Sequence, residues 1–308
     1  MLNIKKYRHV FSILIFLIFV YIFLDYINKN RSLFDLAENI NYKFLILPFL
    51  LLPLSILARG ILNIHLFSLI NINLSYKQSF EIVVNTTLGN LIGPFNLGSG
   101  YKLQYFVRNY KLNIFKYLSL TTTFSIYSFL FFILLMLIIS LRFLRSDLLD
   151  KNIFTALIVI FFIILTLIIL SKKVLHYLSK YNLFKNLSTN IILGIEVFLK
   201  NKKISKKLVY YFLLFNFINF IFYGLIIRSV NFDVDLIRIL VFYCGINLAG
   251  VIKITPLNFG VQELLLISIM SIHNLSIDTI LIVSFLSRAI TMFNILIFFM
   301  LNKFTNHS

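Results

Sequence analysis

Long uncharged apolar runs alternate along this chain with short polar connections. Tyr117–Leu141, Asn152–Ser171 and Leu208–Ile227 each contain no Asp, Glu, Lys or Arg. An α-helix needs about 20 such residues to cross a hydrocarbon core about 30 Å thick. The alternating strands of a membrane barrel do not produce runs of this kind. The pattern therefore predicts helices. Further crossings are expected at Val10–Leu24, at Phe44–Ile70 with a kink from Pro48 and Pro53, and at Thr279–Leu301. Shorter apolar stretches occupy Leu236–Ile252 and Gly260–His273.

The region between Ser79 and Leu112 breaks this rhythm. Ser79–Gly93 is short and carries Glu81, Asn85, Thr86, Thr87 and Asn90, and Tyr101–Leu112 carries Lys102, Arg108 and Lys111. Gly93, Pro94, Gly98 and Gly100 lie between the two stretches. Two half-helices meeting at such a break form a re-entrant hairpin, which membrane depth tolerates where protein or a wet cavity shields the backbone.

The same signature recurs. Residues 92–98 read Ile-Gly-Pro-Phe-Asn-Leu-Gly and residues 254–260 read Ile-Thr-Pro-Leu-Asn-Phe-Gly. Pro94 and Pro256 remove a backbone donor, while Gly98 and Gly260 permit close approach or positive φ. Asn90, Asn96 and Asn258 supply amide groups near the breaks. These residues either bind an anionic group at a half-helix terminus or simply fold the hairpins.

Composition fixes the solvent and charge fixes the orientation. Hydrophobic residues make up 60% of 308, and the mean hydropathy is +0.93, so bilayer must cover most of the exterior. The net charge of +18 comes from lysines gathered at helix ends and in the stretch from Lys172 to Lys207. That distribution follows the positive-inside rule and argues against nucleic-acid binding. It places residues 171–207 and both termini in the cytoplasm, with residues 187–199 as a candidate interfacial amphipathic helix. Three crossings then separate the hairpins and invert the second copy.

The expected architecture is all-α: a polytopic helical membrane bundle forming a single domain over residues 1–308. Its two re-entrant broken-helix hairpins are related as an inverted repeat. Half-unit one spans about 44–141 and half-unit two about 208–301. Inverted repeats with broken helices recur in secondary transporters, which bind near the midplane.

Catalysis finds no support in the residues. Five scattered histidines and the lone Cys244 offer no metal-ligand spacing, and no disulfide pair exists. Asp147 with Asp150, and Asp233 with Asp235, read as solvated loop charge. No cofactor, metal or catalytic residue is expected.

The stretch Asn90 to Gly98, with Pro94, resembles the Asn-x-x-x-Pro-Gly-x-x-Gly motif in the flippase-like membrane region of lysylphosphatidylglycerol synthases. Pro256 to Glu263 is similar to that family's second motif, which ends Gly-Val-Arg-Glu. Arg288 and Arg59 also occupy similar helix contexts. This chain departs from the pattern at Ser99, Lys102 and Gln262. The resemblance implies a helical bundle with re-entrant segments, associated with moving a phospholipid or polyprenyl-phosphate-linked lipid between leaflets of the cell membrane. No stretch reads as the soluble aminoacyl-transferase domain of full synthases.

Charges inside membrane spans usually face a cavity or a partner. Glu263 either caps its short helix or pairs with Arg288 or Arg59. Arg288 is either half of a buried pair or a contact for a substrate phosphate, which suits a guanidinium fork. Lys102 is placed to hold a headgroup at the cytoplasmic mouth or to anchor the interface. The expected substrate-binding set is thus Arg288, Glu263, Lys102, Arg59, Asn90, Asn96 and Asn258. The alternative to a translocase is a non-catalytic membrane subunit supporting an envelope glycan-assembly or lipid transferase.

Overall fold

A computed structural model describes residues 40–92, 96–143, 193–230, 233–250, 261–270 and 275–305. Among them secondary structure is helical, with no strand. The helices are α1 (Lys43–Ser68), α2 (Tyr76–Ile92), α3 (Leu97–Tyr110) and α4 (Ile114–Phe143), followed by α5 (Lys202–Val230), α6 (Leu236–Ala249), α7 (Val261–Met270) and α8 (Ile277–Thr305). A further helical stretch covers 193–200. The first crossing, the run at 152–171, and the breaks at Pro94, Pro256, Asn258 and Gly260 lie outside the described residues.

Among the described residues, α1, α4, α5 and α8 are long and apolar enough to cross a membrane. At 1.5 Å per residue the 26 residues of α1 reach about 39 Å. The helix runs without interruption through Pro48 and Pro53. By the same measure α2, with 17 residues, reaches only about 26 Å, and α3, with 14, about 21 Å. Neither spans a hydrocarbon core of about 30 Å.

Antiparallel pairing of α1 with α5 organises the bundle. The Asn41 amide donates to the Ser229 carbonyl at one end (2.9 Å), and Asn201 Nδ2 reaches the Leu69 carbonyl at the other (3.5 Å). Between them Ser55 Oγ donates to Asn219 Oδ1 (3.0 Å), and His65 stacks on Tyr211. These contacts hold one register along the whole pair, which is the opposed orientation that the charge rule requires.

Helices α2 and α3 form an antiparallel hairpin. Tyr110 Oη donates to Gln78 Oε1 (3.3 Å) near its open end, and Asn85 Nδ2 donates to Tyr101 Oη (3.0 Å) further in. At the tip a β-carbon on Gly98 would overlap the Thr86 carbonyl oxygen and lie 2.6 Å from Asn90 Oδ1. Only a glycine permits this approach. The turn enters α3 through Asn96 in the left-handed region (φ 61°), a conformation Asn tolerates better than most residues.

This changes the role expected for two glycines. Gly98 and Gly100 belong to the first turn of α3, not to the break itself. A β-carbon on Gly100 would meet nothing within 4 Å, so neither space nor backbone angle requires glycine there.

Two apolar clusters fill the interior. One gathers Leu52, Val83, Phe132, Phe222, Phe242 and Leu266; the other gathers Leu66, Phe67, Ile82, Phe106, Tyr117 and Phe198. Phe67 and Phe106 are both fully buried and stack with centroids 3.7 Å apart. Lipid tails are as apolar as these side chains, so the clusters hold by shape and dispersion, not by escape from water. The stretch 193–200 joins the second cluster through Phe198, while Gly194 lies directly against Thr123 and Ser119 of α4.

Candidate functional site

Polar residues recur at helical spacing on the inner faces of the apolar helices. On α1 they are Ser55, Arg59 and Asn63, one turn apart; Ser55 and Asn63 are buried. On α5 they are Asn216, Asn219 and Tyr223, and on α8 Ser284, Ser287, Arg288, Thr291 and Asn294. Such positions share a helix face, so each set points one way.

The stripes converge on a cavity of about 160 Å³ between α1, α2, α5 and α8. Its polar lining comprises Ser55, Arg59, Thr87, Asn219, Tyr223 and Thr291. Arg59 Nη1 donates to Thr87 Oγ1 at 3.4 Å, a long and weak hydrogen bond. Thr87, Asn219 and Thr291 each also donate to a carbonyl on their own helix, at 2.8, 2.7 and 2.6 Å. The volume equals about five waters at roughly 30 Å³ each. It accommodates a small polar group.

Two charged groups lie near this cavity. On one side, Lys102 Nζ donates to Asn63 Oδ1 (2.7 Å) and sits 5.2 Å from the centroid of the Phe67 ring. Asn63 lies one turn beyond Arg59 on α1, so its bond to Lys102 holds that side chain near the Arg59 turn. No carboxylate among the described residues pairs with Lys102 or Arg59.

The other is an ion pair. Arg288 Nη1 donates to Glu263 Oε1 at 2.5 Å, and Ser284 Oγ donates to the same oxygen at 2.5 Å. Arg288 Nη2 also reaches Gln262 Oε1 (3.3 Å). The Arg288 and Glu263 side chains are only 11% and 8% exposed. Tyr223, one turn beyond Asn219 on α5, also lines the cavity.

Of the residues expected to bind substrate, the structure pairs Arg288 with Glu263, and bonds Arg59 to Thr87 and Lys102 to Asn63, one turn beyond Arg59 on α1. Glu263 sits in the first turn of α7 and makes the ion pair as well. Asn90 and Asn96 are at the hairpin tip, each with a buried Oδ1 that has no hydrogen-bond partner, as has Thr86 Oγ1. Sequence reasoning missed Ser55, Asn63, Thr87, Asn219, Tyr223 and Thr291. The i, i+4 spacing of Ser55, Arg59 and Asn63 was the signal that could have found the first two. Asp235 is explained without function: it caps α6, accepting from the Arg238 amide (2.8 Å). No group of three His, Cys, Asp or Glu side chains suited to a metal occurs among the described residues.

A second, apolar groove of about 370 Å³ opens between α4, 193–200 and α5. Phe124, Tyr127, Phe131, Phe198 and Phe212 line it. It lies beside α5 residues 205–213, and the polar cavity beside residues 215–223 of the same helix.

All-helical architecture, membrane-length apolar helices and polar faces turned inward define a multi-pass membrane protein. Within that class the chain belongs to the lysylphosphatidylglycerol synthase TM region family, whose model matches residues 9–298. Neither a curated protein nor a solved structure matches it.

Proposed function

We propose that this chain is a translocase that carries a lipid, or a polyprenyl-linked glycolipid, between leaflets of the cell membrane, and that it performs no catalysis. The observation that carries this reading is the cavity between α1, α2, α5 and α8, where polar side chains including Arg59 meet apolar ones. A lipid headgroup entering hydrocarbon loses its hydration, and each unsatisfied polar group then costs several kcal/mol. Arg59, Thr87, Asn219 and Tyr223 replace part of that hydration along the path.

The apolar groove beside α4 and α5 suits the tail. One helix, α5, thus presents an acyl-chain surface and then a headgroup surface along consecutive turns. The cavity as it stands holds a phosphate-sized group and no glycan, so a larger headgroup requires the helices to part. On this reading α2–α3 and α6–α7 are re-entrant hairpins of an inverted repeat, and their rocking alternates access to the cavity. Both termini are cytoplasmic.

Reconstitution tests it. Vesicles carrying the purified chain should move a fluorescent phospholipid to the opposite leaflet faster than protein-free vesicles. Arg59→Gln should slow that movement by about tenfold, the effect of losing one charge-assisted contact. Equal rates with and without protein, for phospholipid and polyprenyl-phosphate probes alike, would remove the proposal.

A further inference from the structure

Arg59 and Lys102 pose an electrostatic question. Arg59 lines the cavity, and Lys102 is bonded to Asn63, one turn further along α1. Neither has a carboxylate partner among the described residues. No Asp or Glu lies on α1, α3, α4 or α5. On α2 the acid is Glu81, which lies toward Tyr101 and Tyr105. Glu263 is held by Arg288 and Ser284. Neutral oxygens from Thr87 and Asn63 orient the two cations without cancelling their charge.

Buried charges are retained in membranes where something pairs with them. Here Arg288 and Glu263 pair with each other, whereas two cationic side chains, Arg59 in the cavity lining and Lys102 one helical turn away through Asn63, have no carboxylate partner among the described residues. A cavity with that excess favours a group carrying negative charge, and disfavours ammonium groups by the same potential. The guanidinium of Arg59 offers a planar fork matched to phosphate oxygens, while Lys102 adds a point charge.

Resting on the translocase reading of the cavity, we propose that Arg59 and Lys102 form the receptor for the phosphate of a net-anionic lipid headgroup, and that their charge, matched by no carboxylate among the described residues, rejects lipids whose headgroups carry a cationic nitrogen. The favoured ligand is a phospholipid with a phosphodiester or phosphomonoester and an uncharged or acidic remainder. A lysine-bearing lipid, with two ammonium groups, is disfavoured. Arg288 serves the fold of this site and not its ligand.

Equilibrium binding separates this inference from transport. The purified full chain in neutral detergent is titrated with fluorescent phosphatidylglycerol, then challenged with unlabelled phosphatidylglycerol, phosphatidylcholine and lysylphosphatidylglycerol. Phosphatidylglycerol should compete about tenfold better than either of the others, and inorganic phosphate at the same concentration should not compete. Arg59→Gln and Lys102→Gln should each erase most of that preference, while Lys102→Arg keeps it. The ranking in the wild-type chain stands even where a glutamine variant fails to fold.

Equal competition by the three lipids overturns the proposal. So does an undiminished preference in both glutamine variants, provided they remain monodisperse on gel filtration. Displacement by inorganic phosphate as effective as by the lipid would assign the site to a free anion instead. Selective binding without leaflet exchange in vesicles would refute translocation and leave the anion receptor standing. Exchange without selectivity would do the reverse.

Discussion

Arg288 and Glu263, 25 residues apart in the chain, meet at 2.5 Å between α8 and α7, with Ser284 donating to the same carboxylate oxygen. The pair joins the first turn of α7 to α8. Removing one member of a buried pair leaves the other charge stranded, at a cost of about 3–5 kcal/mol. Glu263→Gln and Arg288→Met should each lower the midpoint of thermal unfolding markedly. The double variant should recover part of the loss, because it strands no charge. The chain has no tryptophan, so circular dichroism or gel filtration after heating is the suitable readout. Additive losses in the double variant would show that the two side chains are not coupled.

The crossing of α2 and α3 makes a sharper demand. Gly98→Ala would force its new methyl group into the Thr86 carbonyl oxygen, part of a helix backbone that cannot move alone. Overpacking of this kind costs about 1–3 kcal/mol. Gly100→Ala, two residues on, meets open space and should be neutral, or stabilising by up to about 1 kcal/mol, since alanine favours a helix over glycine. Comparison of the two variants by thermal unfolding in one detergent decides the matter. Equal behaviour would mean that the helices do not approach as closely as described.

Deep in the bundle Tyr243 Oη donates to Asn216 Oδ1 (2.7 Å), while Asn216 Nδ2 donates to the Phe212 carbonyl (2.7 Å). Both residues are buried. Tyr243→Phe keeps the ring and strips the amide oxygen of its donor. Hydrogen bonds between membrane helices contribute about 0.6 kcal/mol on average and up to about 1.7. A loss in that range should appear in unfolding by heat, with lipid exchange unchanged, because Tyr243 does not line the polar cavity.

The long helices were legible in the sequence because hydrocarbon demands unbroken apolar runs. Their ends were less so. Helix α5 begins at Lys202, six residues before the uncharged run at Leu208, because lysine stems can lie along the helix while their ammonium groups reach the interface. Helix α3 begins at Leu97, not Tyr101, since glycine's weak propensity yields to the tight contact that Gly98 makes with α2. The site divided along similar lines. The pairing of Arg288 with Glu263 was one of the readings open in the sequence, because two opposite charges in apolar surroundings invite it. The surroundings of Arg59 were not legible. They depend on Thr87, 28 residues away, and on a Ser55–Asn219 contact spanning 164 residues, which only the register of α1 against α5 creates.

That register also sharpens a test of orientation. Asn41 and Ser229 meet at one end of the α1–α5 pair, and Leu69 and Asn201 at the other, so each end must share one side of the membrane. Phe80 packs on Phe298 and Gln78 bonds Tyr110, which adds the open end of the α2–α3 hairpin and the late part of α8 to the second group. Lysines crowd this end: Lys77, Lys111, Lys200, Lys202, Lys203, Lys206 and Lys207. The positive-inside rule predicts that this end faces the cytoplasm. The native Cys244 is fully buried, so introduced cysteines can be labelled against little background. Tyr76→Cys, Lys111→Cys and Lys203→Cys should therefore resist a membrane-impermeant maleimide in intact cells and react after permeabilisation. Tyr42→Cys, Asp233→Cys and Ser276→Cys should react in intact cells. Labelling of Tyr76 and Lys111 from opposite sides would mean that the α2–α3 segment crosses the membrane, and the headgroup path drawn through Arg59 and Lys102 would have to be abandoned.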